Sequence, residues 1–170
     1  MILSKPSRPE LCHLNNMSYQ CYRKYLRRIV KYSKKRGVKL CALPDLSCGG
    51  AFIHSFFDKK GGKNRIYVDT LLPPSERIAI LLHEIGHHLD YCGNSESFFT
   101  RDIIEARFRH DKNLPLTQDQ KKKLLISERR AWKKAESLAT RLEIELGDWF
   151  NKERNKDLAS YIRIPVLRYL

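Results

Sequence analysis

The chain has 170 residues, 42% of them apolar, and a formal net charge of +14. That length fits one domain over residues 1–170 with enough apolar content for its own core. No apolar run approaches the roughly 18 residues of a membrane span, and the opening residues are polar and proline-containing rather than signal-like. No repeat, low-complexity tract or Ser/Pro/Gly linker divides the chain. Five cysteines stand at positions 12, 21, 41, 48 and 92 without a C-x-x-C pair. That spacing sets aside a zinc ribbon or a thioredoxin-like motif and predicts reduced thiols in a cytoplasmic protein.

The first predicted element is a helix over about residues 17–36. Tyr19, Tyr22, Leu26, Ile29 and Val30 recur at helical spacing, basic residues fill the other faces, and Gly37 is a natural stop. The first forty residues hold eleven Lys/Arg and one acid, Glu10, so eleven minus one places +10 here. A strongly positive exposed face serves solubility, contacts nucleic-acid phosphates, or steers an acidic partner. The apolar stripe is needed for the core and includes two tyrosines, which argues against a membrane-surface role.

Val38–Leu43, Ala51–Phe57 and Arg65–Val68 are rich in aromatic and β-branched residues and predict three strands. The basic, glycine-containing stretch Asp58–Asn64 makes the last two a hairpin with a long loop. His54 is expected to be structural or to face a substrate.

Pro73-Pro74-Ser75-Glu76 then opens a nearly all-apolar helix through Ile78, Leu82, Ile85 and Leu89. It carries His83-Glu84-Ile85-Gly86-His87, an H-E-x-x-H pattern. Residues four apart share one helical face, so His83 and His87 can hold one metal ion between them. Glu84 projects beside that face, where a carboxylate can take a proton from a metal-activated water. His88 points elsewhere and is expected to be structural.

A catalytic zinc takes three protein ligands. The metzincin extension is absent, because Asp90 and Gly93 occupy the places of its glycine and last histidine. Asp90, His110, Glu128 and Glu136 are the candidates. His110 follows a charged helical segment, Ser97–Arg109. Beyond it, Thr117 and Gln120 form a capping-box pattern and Gly147 a plausible stop for one long helix. On that helix Leu124, Ala131, Ala135, Leu138, Ala139, Leu142 and Leu146 make a stripe with Glu128 near its middle. Glu136 sits roughly 80° away, among solvated groups, at about 100° per residue. A carboxylate inside an apolar stripe needs a partner, and Glu128 is therefore the expected third ligand, with His110 second. Asp90 is the expected acceptor that orients a ligating imidazole. Tyr67, Tyr91 and His110 are the candidate donors to an oxyanion.

His83-Glu84-Ile85-Gly86-His87-His88, followed some forty residues later by Glu128-Arg129-Arg130-Ala131, resembles the ImmA/IrrE group of zincin-like metallopeptidases. Where members often carry Asn or Asp after E-x-x-A, this chain has Trp132. The resemblance implies an α+β zincin-like fold, a small antiparallel or mixed sheet packed on the H-E-x-x-H helix and on a long C-terminal helix. It implies Zn²⁺ on His83, His87 and Glu128, Glu84 as general base, and a specific intracellular protein as substrate, such as a regulator or repressor of a mobile element. The other expectation is a nucleic-acid-binding or regulatory module on the same scaffold without peptidase activity.

Overall fold

The computed structural model describes residues 17–46, 49–53, 64–93 and 101–163. Helix α1 (Tyr19–Lys35) leads into strands β1 (Lys39–Leu43), β2 (Gly50–Ile53) and β3 (Arg65–Asp69). Four helices follow: α2 (Pro74–Gly93), α3 (Arg101–Asp111), α4 (Gln118–Arg141) and α5 (Asp148–Arg163). The class is α+β, with five helices and a three-stranded sheet among the described residues.

The sheet has β3 at its centre, in the order β1-β3-β2. β2 lies antiparallel to β3, with Ala51 opposite Tyr67. β1 lies parallel to β3, with Cys41 opposite Tyr67. The three expected strands are present and the sheet is mixed. Ile66 and Val68 alternate inward from β3 and are buried in the main core, as period-two side chains of a half-covered sheet should be. Residues 54–63, with His54 and most of the expected hairpin loop, lie outside the described residues.

Helix α1 begins at Ser18, whose hydroxyl accepts from the Cys21 amide, and ends just before Gly37, which takes a left-handed φ of 70°. Its buried line differs from the expected one. Cys21, Tyr25, Ile29 and Ser33 point inward, whereas Tyr19 and Val30 are 68% and 46% exposed. Tyr22 and Leu26 pack at the margin. Small Cys21 and Ser33 let the helix lie close, and the Tyr25 hydroxyl accepts from the Glu145 amide. A hydropathy stripe does not weigh such fits. Cys21 is disulfide-bonded, so the expectation of reduced thiols fails there, while Cys41 and Cys92 are free.

The capping box of Thr117 and Gln120 opens α4 as expected. The expected stop at Gly147 is wrong. The helix ends at Arg141, and Glu143 adopts a left-handed φ of 50° while the Ile144 amide donates to the Ala139 carbonyl. That is the Schellman arrangement with glutamate in the position glycine usually takes. Arg28 of α1 holds the turn, donating to the carbonyls of Leu142 and Glu143 and to the Glu143 carboxylate. A remote arginine thus supports a turn that has no local glycine signal. The long helix is therefore not the last one. Residues 148–163 form α5, whose Trp149 and Phe150 enter the main core while Tyr161 joins a smaller cluster with Ile103, Ala106, Leu116 and Leu124.

Helices α2 and α4 approach closely at Gly86. A Cβ on Gly86 would lie 2.2 Å from the Ala131 carbonyl oxygen, so only a glycine fits. Gly86→Ala must separate the two backbones, and overpacking of this kind costs roughly 1–3 kcal/mol. Urea unfolding should show that loss as a lower midpoint at unchanged slope. A midpoint equal to wild type would show that the contact is looser than described.

Candidate metal centre

The Gly86–Ala131 contact brings one turn of α4 onto the middle of α2. His83 and His87 lie on the contact face of α2 by their four-residue spacing, and Glu128 sits three residues before Ala131. All three are at least 94% buried. The Nε2 atoms of His83 and His87 are 3.1 Å apart. Glu128 Oε2 is 3.0 Å from the one and 3.2 Å from the other (His87 and His83 respectively). The three ligand atoms make a nearly equilateral triangle able to hold one metal ion. Tetrahedral zinc with bonds of about 2.0–2.1 Å separates its ligand atoms by roughly 3.3 Å, so the triangle needs to open by only a few tenths of an ångström. Two imidazole nitrogens and a carboxylate oxygen are also a donor set that zinc accepts.

The electrostatics suit a cation. Burial pulls His87 down to about 4, leaving a neutral imidazole at pH 7, the form that ligates. Burial alone would raise Glu128, but His87, Arg107 and the hydrogen bonds from both histidines hold it well below the usual carboxylate range. His83 is raised: burial would lower it, but the Glu128 hydrogen bond and the charges of Glu84, Glu128 and Asp157 together outweigh that. Glu84, 8% exposed, is pushed up to about 7, mainly by burial.

Each arm of the centre is held from behind. Arg107 of α3 places Nη1 3.0 Å from Glu128 Oε1 and donates from Nη2 to Ser127 Oγ. It occupies the far oxygen of Glu128 and leaves Oε2 toward the histidines. Trp132 stacks on the His83 ring at 4.3 Å and donates its indole N–H to Asp157 Oδ2 at 2.8 Å. Asp157, on α5, is 4.0 Å from His83 Nε2. Beside the triangle opens a cleft of about 800 Å³, lined in part by Gly50, Glu84, Arg107, Asp157 and Tyr161. Gly50 of β2 crosses α2 where a Cβ would lie 2.2 Å from Ile80 and 3.3 Å from Glu84. The bare glycine thus leaves room for the Glu84 side chain.

His83, Glu84, His87 and Glu128 therefore converge. Asp90 and His110 do not join the ligand cluster. Asp90 is fully buried and accepts from Arg130 Nε at 3.1 Å, tying α2 to α4. His110 lines the cleft and stacks on Tyr161. Glu136 pairs with Arg154 of α5. His88 is buried against Asn64 and Cys92. Tyr67 and Tyr91 are not among the cleft residues, whereas Tyr161 is. Burial and the charges of Glu128 and Asp157 push the Tyr161 phenol well above its ordinary range, so it stays a proton donor.

Sequence reasoning missed Arg107, Asp157 and Tyr161. The last two lie on α5, which it did not foresee. Their i, i+4 spacing, with Trp149, Phe150 and Leu158 on the same helix, was the available signal. Compared with known proteins, the chain matches no family model, no curated protein and no solved structure.

Arg107→Gln keeps a donor but removes the charge facing Glu128. Groups that orient a ligand are typically worth 10- to 100-fold in metal affinity, so a chelator-competition titration should show divalent-cation binding weakened by about tenfold or more. Unchanged affinity would remove Arg107 from the centre.

Proposed function

We propose that this chain is a zinc-dependent endopeptidase with a zincin-like fold, acting on a specific intracellular protein. The observation that carries the reading is the buried His83–His87–Glu128 triangle with the buried Glu84 carboxylate opening on the same cleft. Buried carboxylates and imidazoles gathered at one point are costly unless hydrogen bonds or a cation satisfy them, and a divalent ion can satisfy all three ligand atoms at once.

His83, His87 and Glu128 would hold the ion. When bound, Zn²⁺ supplies a Lewis acid that acidifies water and polarises a carbonyl. Glu84 takes a proton from the attacking water and returns it to the leaving amine. Its ordinary value raised to about 7 suits a group that must both accept and release a proton near neutrality. Tyr161 is the donor that lines the cleft where an oxyanion would develop. Among the described strands β2 is an edge strand, and Gly50 and Ala51 of β2, with Gly49 just before it, are on the cleft; an extended peptide can add to such an edge. The resemblance to the ImmA/IrrE group supports a regulator or repressor of a mobile element as the substrate. Among the described residues no helix is long and apolar enough to cross a membrane.

The basic face of α1 supports a second reading, a nucleic-acid-binding or regulatory module without peptidase activity. Arg23, Lys24, Arg27, Lys31, Lys34 and Lys35 are all exposed and could meet phosphates or an acidic partner. Steeply salt-dependent DNA binding with no proteolysis by zinc-loaded protein would favour it.

Elemental analysis should find about one zinc per chain, lost or sharply weakened in Glu128→Ala. Glu84→Gln should keep the zinc and abolish cleavage. Cleavage at the wild-type rate by Glu84→Gln would eliminate the general-base role, and zinc-free wild type that takes up none on addition would eliminate the peptidase reading.

A further inference from the structure

The cleft is opposite in charge to the molecule that contains it. Besides Glu128, the carboxylates of Asp45, Asp69, Glu84, Asp111, Glu153 and Asp157 line it, against Arg107 and Lys156. Counted formally, with every carboxylate taken as ionised, seven minus two leaves an excess of five negative charges among the described residues, and a divalent ion would still leave three. The chain as a whole carries +14. Over distances beyond the Debye length, about 8 Å at physiological salt, the outer charges are screened, and within the cleft the local carboxylates set the potential.

These carboxylates are not equally committed. Arg107 is spent on Glu128. Lys156 is 67% exposed and divides between Glu153 at 3.4 Å and Glu76 at 3.8 Å. Asp69 accepts from the amides of Asp45, Leu46 and Leu71 and shapes the loop. Asp157 differs from the rest. Its Oδ2 accepts from the Trp132 indole, its side chain is 31% exposed into the cleft, and no Lys or Arg among the described residues lies within 4.0 Å of it. The neutral indole orients the carboxylate without neutralising it. Nearby Glu84, more than nine-tenths buried, also faces the cleft without a Lys or Arg partner. Among the described residues the nearest basic group to Asp157 is His83 Nε2 at 4.0 Å, which is already engaged with Glu128 at 3.2 Å; a mostly buried, fixed carboxylate so weakly partnered is costly, and a cation brought by a ligand can complete it from the cleft.

We propose that the cleft takes a positively charged peptide segment, and that Asp157, fixed by Trp132, is the residue that engages its Lys or Arg side chain beside the metal centre. This rests on the peptidase reading and narrows its substrate class.

The test uses the zinc-loaded full chain and two capped fluorescent peptides of equal length, tetra-arginine and tetra-glutamine, followed by anisotropy. Tetra-arginine should bind in preference to tetra-glutamine, although the protein is itself cationic. Asp157→Asn keeps an acceptor for the indole and should weaken tetra-arginine binding by about tenfold, the effect of one partly buried ion pair. Asp157→Glu should restore much of it. Glu105→Gln, an exposed acid on α3 outside the cleft, should bind as wild type does. Zinc is measured on every sample. Equal binding of the two peptides, or unchanged binding by Asp157→Asn, at full zinc content overturns the proposal and leaves the metal centre standing. Samples that take up no zinc overturn the peptidase reading and this inference with it.

Discussion

The approach of α4 to α2 at Gly86 and Ala131 is the constraint from which the rest of the centre follows. Helices usually pack 8–10 Å apart, and a side chain between the two histidines would hold α4 off the surface of α2. Gly86 removes that side chain at the one position where Ala131 presents its carbonyl. The approach brings Glu128 Oε2 within 3.2 Å of both imidazoles. It also stacks Trp132 on His83 and lets Arg130 reach Asp90. One glycine thus couples the packing of the core to the assembly of the polar centre.

That centre is expensive to keep inside a protein. Two imidazoles and two carboxylates, each more than nine-tenths buried, lose their hydration, and the cost is offset only through mutual contacts and through the Arg107 guanidinium. The arrangement assigns each group a distinct charge state. Glu128 is held ionised by its cationic neighbour and the histidines, His87 is kept neutral by burial, and Glu84 is poised near neutrality. Neighbouring titratable groups driven apart in this way are common at functional sites. α3 and α5 contribute the outer support, Arg107 from one and Asp157 from the other, so the centre depends on four helices rather than two.

A large part of this was legible in the residues. The i, i+4 histidines needed only helical geometry, and the apolar run around them required burial. Glu128 was found because a carboxylate in an apolar stripe has to be satisfied by something. The capping box at Thr117 and the glycine stop at Gly37 are local signals, and both elements begin or end where those signals fall. The failures share one cause. The end of α4 depends on Arg28, more than a hundred residues away in sequence, and the inward line of α1 depends on what its small residues meet. Asp90 carries a ligand-like spacing, yet its partner is an arginine on another helix.

The sequence by itself determined the helix that carries His83, Glu84 and His87, the burial of Glu128, and the concentration of positive charge at the N-terminal end. Each follows from neighbours within a few turns of the chain, where periodicity and capping act. Only the tertiary structure decided that Glu128 and not His110 or Asp90 meets the histidines, that Arg107 holds its other oxygen, and that Asp157 and Tyr161 of α5 face the same cleft. Those pairings join elements tens of residues apart, and their geometry is set by how closely α2 and α4 can pack, a property of the assembled core that no local pattern encodes.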